Sequence, residues 1–250
     1  MKKLLVLLLV ASFSVLMTAG IAIAQAGWTE NWDSYVSGTT PYGSWVLGNG
    51  VWEPLVDGQY ISPSQSYRIM GGSISRIGRD LGFNPAETGG VILEGWFYDT
   101  NGASGLKRSW LGFQNDFSVD NALVRIGMNN VAQYQVHYYN SGNLVQLNTG
   151  LGNQTGWHYV KLELVPAGDG TNWTCNWQIN AVDGTPYVGN FTWAWLPANA
   201  KKVVLGYNYS STYEVDWDDI TVTPIPEPTS LLALGTGLIG LAGIVRRRMV

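Results

Sequence analysis

Near the end of the chain, the stretch Glu214-Val215-Asp216-Trp217-Asp218 sets a carboxyl group at every second position. In a strand, alternate side chains share a face, so Glu214, Asp216 and Asp218 point the same way. Two carboxyl groups about 5 Å apart beside a sugar ring can break a glycosidic bond, one as nucleophile and one as proton donor. Crowded carboxylates also repel one another, which a hard divalent cation relieves. Solvated carboxylates at a strand end are the third reading. Little else in the chain competes. The two histidines, His137 and His158, both lie in strand-like alternation, and Cys175 is the one cysteine. That set has no zinc-ligand spacing. There is no Gly-x-Ser-x-Gly elbow and no phosphate-cradling Gly-Lys-Ser/Thr. His158, beside Trp157, reads as a surface-strand residue rather than a base. Cys175 reads as a buried, inert thiol and has no partner for an internal disulfide.

The elements that must position these groups are strands. All 12 tryptophans fall between Trp28 and Trp217, among β-branched residues, recurring glycines and sparse charge. Alternation predicts strands at 90–99, 109–113, 122–128, 133–139, 157–165, 172–180, 191–195, 202–209 and 214–223, with a turn over 181–184. In the strand from Trp157, Tyr159, Lys161 and Glu163 face one way and Val160, Leu162 and Leu164 the other. No segment shows a helical stripe, and no repeat stands out. Many short strands at close spacing predict an all-β sandwich or jelly roll.

The two ends differ from this middle. Met1-Lys2-Lys3 precedes an apolar stretch that closes on Ala22, Ala24 and Ala26, a small-x-small exit typical of a secretory signal. At the other end, Pro226-Glu227-Pro228 precedes the uncharged run 229–245 and then Arg246, Arg247 and Arg248. As a helix that run measures roughly 25 Å, near the lower limit for spanning a bilayer, and the arginines hold its end in the cytoplasm. Gly235, Gly237, Gly240 and Gly243 make it slim enough to pack against another membrane protein. The prolines keep Glu227 in extended backbone. Between these ends, nine basic residues face seventeen acidic ones, a net charge of −8. That disfavours nucleic acid and anionic membrane surfaces and suits neutral sugars or divalent cations.

The tail resembles the PEP-CTERM sorting signal of Gram-negative bacteria: a Pro-Glu-Pro, an apolar run and an arginine cluster, in that order. The resemblance implies recognition by a membrane-embedded exosortase, removal of the tail, and delivery to the cell surface or the exopolysaccharide matrix. The middle resembles exported concanavalin A-like or laminin G-like jelly rolls. Glu30-Asn-Trp-Asp-Ser-Tyr35 with Gly38 and Trp45 looks like their opening strand. Gly156–Leu164 and Trp177–Asn180 look like their central hairpin. Asp218-Asp-Ile-Thr-Val222 looks like their closing strand, which pairs beside the first. Laminarinase-like enzymes of this fold class carry a Glu-x-Asp-x-Glu strand. Here Asp218 replaces the last Glu, one methylene short, and the strand lies last rather than mid-chain. Catalysis by Glu214 and Asp218 is therefore the alternative reading. The resemblance also places a structural calcium at Asp218, with Glu30 or Asp33, or their backbone carbonyls, as further ligands. For sugar stacking, the candidate rings are Trp193 with Trp195 and Tyr207 with Tyr209.

The sequence thus predicts a signal peptide over 1–26 and a single jelly-roll β-sandwich over 27–224. A sorting signal with a transmembrane helix follows over 225–250. The expected protein is exported and non-catalytic, held in the inner membrane before processing. It has an exosortase and extracellular polysaccharide as partners and no cofactor beyond a possible calcium. A degenerate glucanase-like hydrolase and a plain membrane-anchored sandwich are the alternatives.

Overall fold

The computed structural model describes residues 26–36, 43–50, 55–56, 59–70, 75–103, 108–115, 117, 124–195, 197–206 and 213–227. Ala22, Ala24, Tyr207, Tyr209, Pro228, the run 229–245, Arg246, Arg247 and Arg248 lie outside them. Among the described residues, no helix is long and apolar enough to cross a membrane.

The described strands are β1 (Trp28–Glu30), β2 (Trp45–Gly50), β3 (Leu55–Val56), β4 (Ser66–Ile69), β5 (Ser75–Asp80), β6 (Val91–Asp99), β7 (Arg108–Gln114) and β8 (Val124–Asn129). They continue with β9 (Gln133–Asn140), β10 (Asn143–Gly152), β11 (Gly156–Pro166), β12 (Trp173–Asn180), β13 (Pro186–Trp193), β14 (Lys202–Gly206) and β15 (Val215–Pro224). All pairings among them are antiparallel. The first sheet runs β13-β12-β11-β6-β15-β4-β3, with β1 also paired to β15, and the second runs β10-β9-β8-β7-β14-β5-β2. The two sheets form a jelly-roll β-sandwich. Residues 27–225 form one compact unit.

Alternation decides which side chains enter the core. Along β6, Val91, Leu93, Phe97 and Asp99 are buried, while Ile92, Glu94, Trp96 and Tyr98 are half-buried on the outer face. β11 repeats the pattern, with Val160, Leu162 and Leu164 inside and Tyr159, Lys161 and Glu163 outside, as its sequence predicts. The second sheet supplies Leu111, Phe113, Val124, Ile126 and Val136 to the same core. Burying an aliphatic side chain contributes about 1.5–3 kcal/mol, so this two-sided alternation holds the sheets face to face. The predicted turn forms at Gly184, whose φ of 86° a side chain would resist.

Some expectations shift. The opening strand is β1 at Trp28–Glu30, and the chain turns just after it, with Trp32 at a φ of 64°. β1 does pair with β15, Glu30 opposite Ile220. The strand expected at 191–195 runs from Pro186 to Trp193, because it pairs along the whole of β12. β10 carries an alternation too polar to stand out in sequence; it forms as the hairpin partner of β9. His158 points inward and is fully buried, not at the surface. Its ring stacks on Phe97 at 5.0 Å, and its Nδ1 lies 2.8 Å from the Asn180 carbonyl. Cys175 is buried, and desolvation pushes its thiol up, as expected of an inert core residue.

Candidate functional site

β15 lies mid-sheet, and its register with β6 fixes where each carboxylate points. Val215 and Trp217 oppose Asp99 and Phe97 on the core side, and Asp216 and Asp218 oppose Tyr98 and Trp96 on the outer side. Asp216 and Asp218 thus share a face, as the alternation requires. Glu214 lies just before the strand. All three have protein partners. Arg68, on the neighbouring β4, donates to both oxygens of Asp216, at 2.7 and 2.9 Å. The same guanidinium reaches Glu214 Oε2 at 2.8 Å. Burial pushes the Asp216 carboxyl up, the Arg68 bond and charge pull it down, and the net direction is upward.

Asp218 has a different environment. Its Oδ2 accepts the backbone N–H groups of Ile61 and Ser62, at 2.8 and 3.2 Å, and its Oδ1 accepts that of Asp219 at 2.8 Å. The loop between β3 and β4 therefore lies over it. Burial dominates and pushes its carboxyl up to about 7, although the three amide bonds favour the charged form. Directly after it the strand bulges, with Asp219 at a φ of 48° and the register stepping from Asp218 opposite Trp96 to Thr221 opposite Glu94. Glu214 and Asp218, the alternative catalytic pair, are thus held by separate partners.

The expected calcium ligands separate as well. Glu30 is buried and accepts from Trp32 N–H, the Tyr35 hydroxyl, Trp45 Nε1 and Arg79 Nη1, all at 3.1–3.2 Å. With a guanidinium already against Oε2, a second cation there would be repelled, so Glu30 does not fit a calcium site. Asp33 accepts from Asn31 Nδ2 and from Ser64 Oγ, both at 3.0 Å. Asp33 and Asp218 thus both bond the stretch 61–64, in which Ser62 Oγ is buried with no hydrogen-bond partner. Hard oxygens of this kind suit a calcium ion. Among the described residues, no three His, Cys, Asp or Glu side chains gather as a metal cluster.

Neither Trp193 nor Trp195 offers a free ring face. Both are core residues, Trp193 against Tyr138 and Phe191, Trp195 against Trp173 and Phe113. The half-exposed rings lie elsewhere, on the outer face of the first sheet. Tyr98 of β6 and Trp157 of β11 are cross-strand partners, edge to face with centroids 5.4 Å apart. One register step along, Trp96 and Tyr159 pair at 5.4 Å, and the Tyr159 hydroxyl donates to Glu94 at 2.5 Å. Desolvation and that carboxylate push the Tyr159 phenol up. On the same face, Lys161, Glu163, Asn176, Gln178, Val188 and Asn190 line an open groove of about 260 Å³. Of these aromatics, the sequence places Tyr159 on one face with Lys161 and Glu163. What sequence did not signal is that the two strands are neighbours in register.

The comparisons bear on both parts of the chain. The PEP-CTERM protein-sorting motif matches residues 224–248. This chain carries a PEP-CTERM sorting motif. Such a motif implies an exported protein that an exosortase processes, anchored in the membrane as a precursor. Of it, Pro226 is exposed and Glu227 half-buried. No curated protein sequence matches the chain. Among solved structures, the sandwich is similar to the conserved carbohydrate esterase vb_24B_21 from Shiga toxin-encoding bacteriophage phi24B. Identity is 18%, the match covers 73% of this chain and 90% of that one, and the TM-score is 0.50. It is also similar to the exoplasmic/lumenal domain of VIP36 in its Ca2+/Man3GlcNAc-bound form. There the identity is 12%, the coverage 76% and 89%, and the TM-score 0.51. At these identities the likeness is one of fold.

Proposed function

We propose that this PEP-CTERM protein is a non-catalytic, glycan-associating component of the cell surface or exopolysaccharide matrix of a Gram-negative bacterium. The observation that carries the reading is the outer face of the first sheet. Two cross-strand aromatic pairs, Tyr98–Trp157 and Trp96–Tyr159, sit half-exposed beside a groove lined with amides and one ion pair. Ring faces stack on the apolar C–H edges of pyranoses, and amides and carboxylates bond their hydroxyls. The carboxylates that would do hydrolysis are instead bonded to Arg68 and to backbone amides. The test is affinity electrophoresis through neutral polysaccharides, together with a reducing-sugar assay on laminarin. Retardation that weakens at least tenfold in Trp157→Ala, with no sugar released, supports the reading. Release of sugar that Glu214→Gln abolishes would establish the hydrolase instead. Calcium belongs to the proposal only at Asp33, Asp218 and the stretch 61–64, as a structural ion. A ligand that binds the folded state alone raises its stability. Calcium is therefore expected to raise the melting temperature, and Asp218→Ala to remove the rise; no response in the intact protein would end this part.

A further inference from the structure

The two sides of the sandwich end differently. On one side the described edges are short or irregular: β3 has two residues, β1 has three, and β2 slips register between Leu47 and Asn49. Natural sheets protect their edges in these ways, and with charges or proline, because an open edge recruits another strand. On the opposite side, among the described strands, β13 ends the first sheet and β10 the second, and the two strands touch. β13 is eight residues long and keeps an unbroken register with β12 from Pro186 to Trp193. Pro186, which has no N–H, opens the strand, and at about 3.4 Å per residue the edge after it is about 24 Å long. Neither β13 nor β10 contains a charged residue. The sequence around them is equally bare. No Asp, Glu, Lys or Arg occurs between Arg125 and Lys161, and between Asp169 and Lys201 only Asp183 does. In a chain with a charge of −8 over its exported part, these two edge strands carry none. Val188, in the middle of β13, is 68% exposed.

We propose that β13 is a self-association edge, and that its occupant is β13 of a second copy of this chain. An antiparallel pair of identical strands about a two-fold axis is self-complementary, and each edge supplies the N–H and C=O groups that the other lacks. A second copy fits better than a charged partner, because neither β13 nor β10 carries a charge to complement one. Pairing carries the first sheet on into its counterpart and covers Val188. It also brings together the two copies' grooves, each lined in part by Val188 and Asn190. The proposal does not depend on glycan binding.

The experiment is sedimentation of the processed, secreted protein over a concentration series, with hydrogen exchange followed along β13. The expected result is a mass that rises from one copy to two, with the β13 amides more protected at high concentration. Val188→Lys with Asn190→Lys adds two cations to each edge at exposed positions. It is expected to weaken association at least tenfold and to leave the melting temperature in place. A single-copy mass at every concentration overturns the proposal. So does a dimer whose β13 amides exchange as fast as in the monomer, a reading that needs only the unsubstituted protein. Glycan retardation is measured in parallel. Its loss in Trp157→Ala with association intact separates the two surfaces.

Discussion

At the scale of single residues, Asp218 and His137 bend the pH dependence of stability in opposite directions. Burial raises the folded Asp218 carboxyl to about 7, above its unfolded value of about 3.9. The folded state therefore holds a proton that the unfolded state has released. Its contribution is fully present below about pH 4 and is lost as pH rises toward about 7. His137 is buried beneath Trp110, with ring centroids 4.3 Å apart, and near Arg125. Burial, then the charges of Arg125 and Arg108, lower its folded value to about 3. Its contribution is present above about pH 6.5 and is lost as pH falls toward 3. Between pH 4 and 6.5 the two slopes oppose each other, so the unsubstituted protein should show a shallow profile. Asp218→Asn is expected to expose the rising limb due to His137, and His137→Gln the falling limb due to Asp218. Urea denaturation at half-unit steps of pH reads both; an unchanged profile in either variant would show that the group named does not titrate there.

Among elements, β4 bears on β15 through one side chain. Arg68 neutralises Asp216, which is fully buried, and also holds Glu214. Removing one partner of a buried pair leaves an uncompensated charge, which costs about 3–5 kcal/mol when fully buried. Arg68 is partly solvated, so Arg68→Ala should cost about 2–3 kcal/mol by chemical denaturation. Arg68→Met with Asp216→Leu should recover most of that loss; equal destabilisation of single and double variants would show that packing, not charge, explains it. The same strands mark what the sequence could tell. β6, β11, β12 and β15 were legible because each buries one face against a continuous core and so alternates strictly. β2 to β5 were not, because they are short, glycine-containing or polar, as in Ser75–Asp80, whose inner face carries Ser75 and Arg79 rather than apolar residues alone. The carboxylates of β15 were visible as a row, but Arg68 and the amides of Ile61 and Ser62, about 150 residues earlier, decide what that row can do. His158 was misread because its neighbours Trp157 and Tyr159 do face out, and the polar ring then falls on the inner face. There its Nδ1 lies against the Asn180 carbonyl, and its Nε2 lies against the Tyr134 hydroxyl and the Gln154 carbonyl.

For the whole molecule, the sorting motif and the sandwich make separable predictions. Replacing Arg246, Arg247 and Arg248 with neutral residues is expected to disturb membrane retention or orientation. Replacing Pro226-Glu227-Pro228 with alanines is expected to leave a correctly inserted precursor that accumulates uncut. The mass of the protein with and without the host's exosortase reads both, and an intact C-terminus through Val250 in both hosts would mean a plain anchor. The sandwich adds a condition to this traffic. Ile225 donates its N–H to the Gly90 carbonyl at 2.9 Å, Pro224 pairs with Val91, and Pro226 comes next. No slack chain separates the last rung of the ladder from the Pro-Glu-Pro. A processing enzyme that grips several residues upstream of its cut would need backbone that the sheet already holds, with Val222 and Ile220 anchored in the core. Maturation then becomes a race: either the tail is cut before the last strand docks, or the cut waits for the end of that strand to fray. Eight Gly and Ser residues inserted between Ile225 and Pro226 should shorten the precursor's lifetime in a pulse-chase several-fold. Equal lifetimes would show that the cut draws on nothing upstream of Pro226, and that the ladder sets no clock on release.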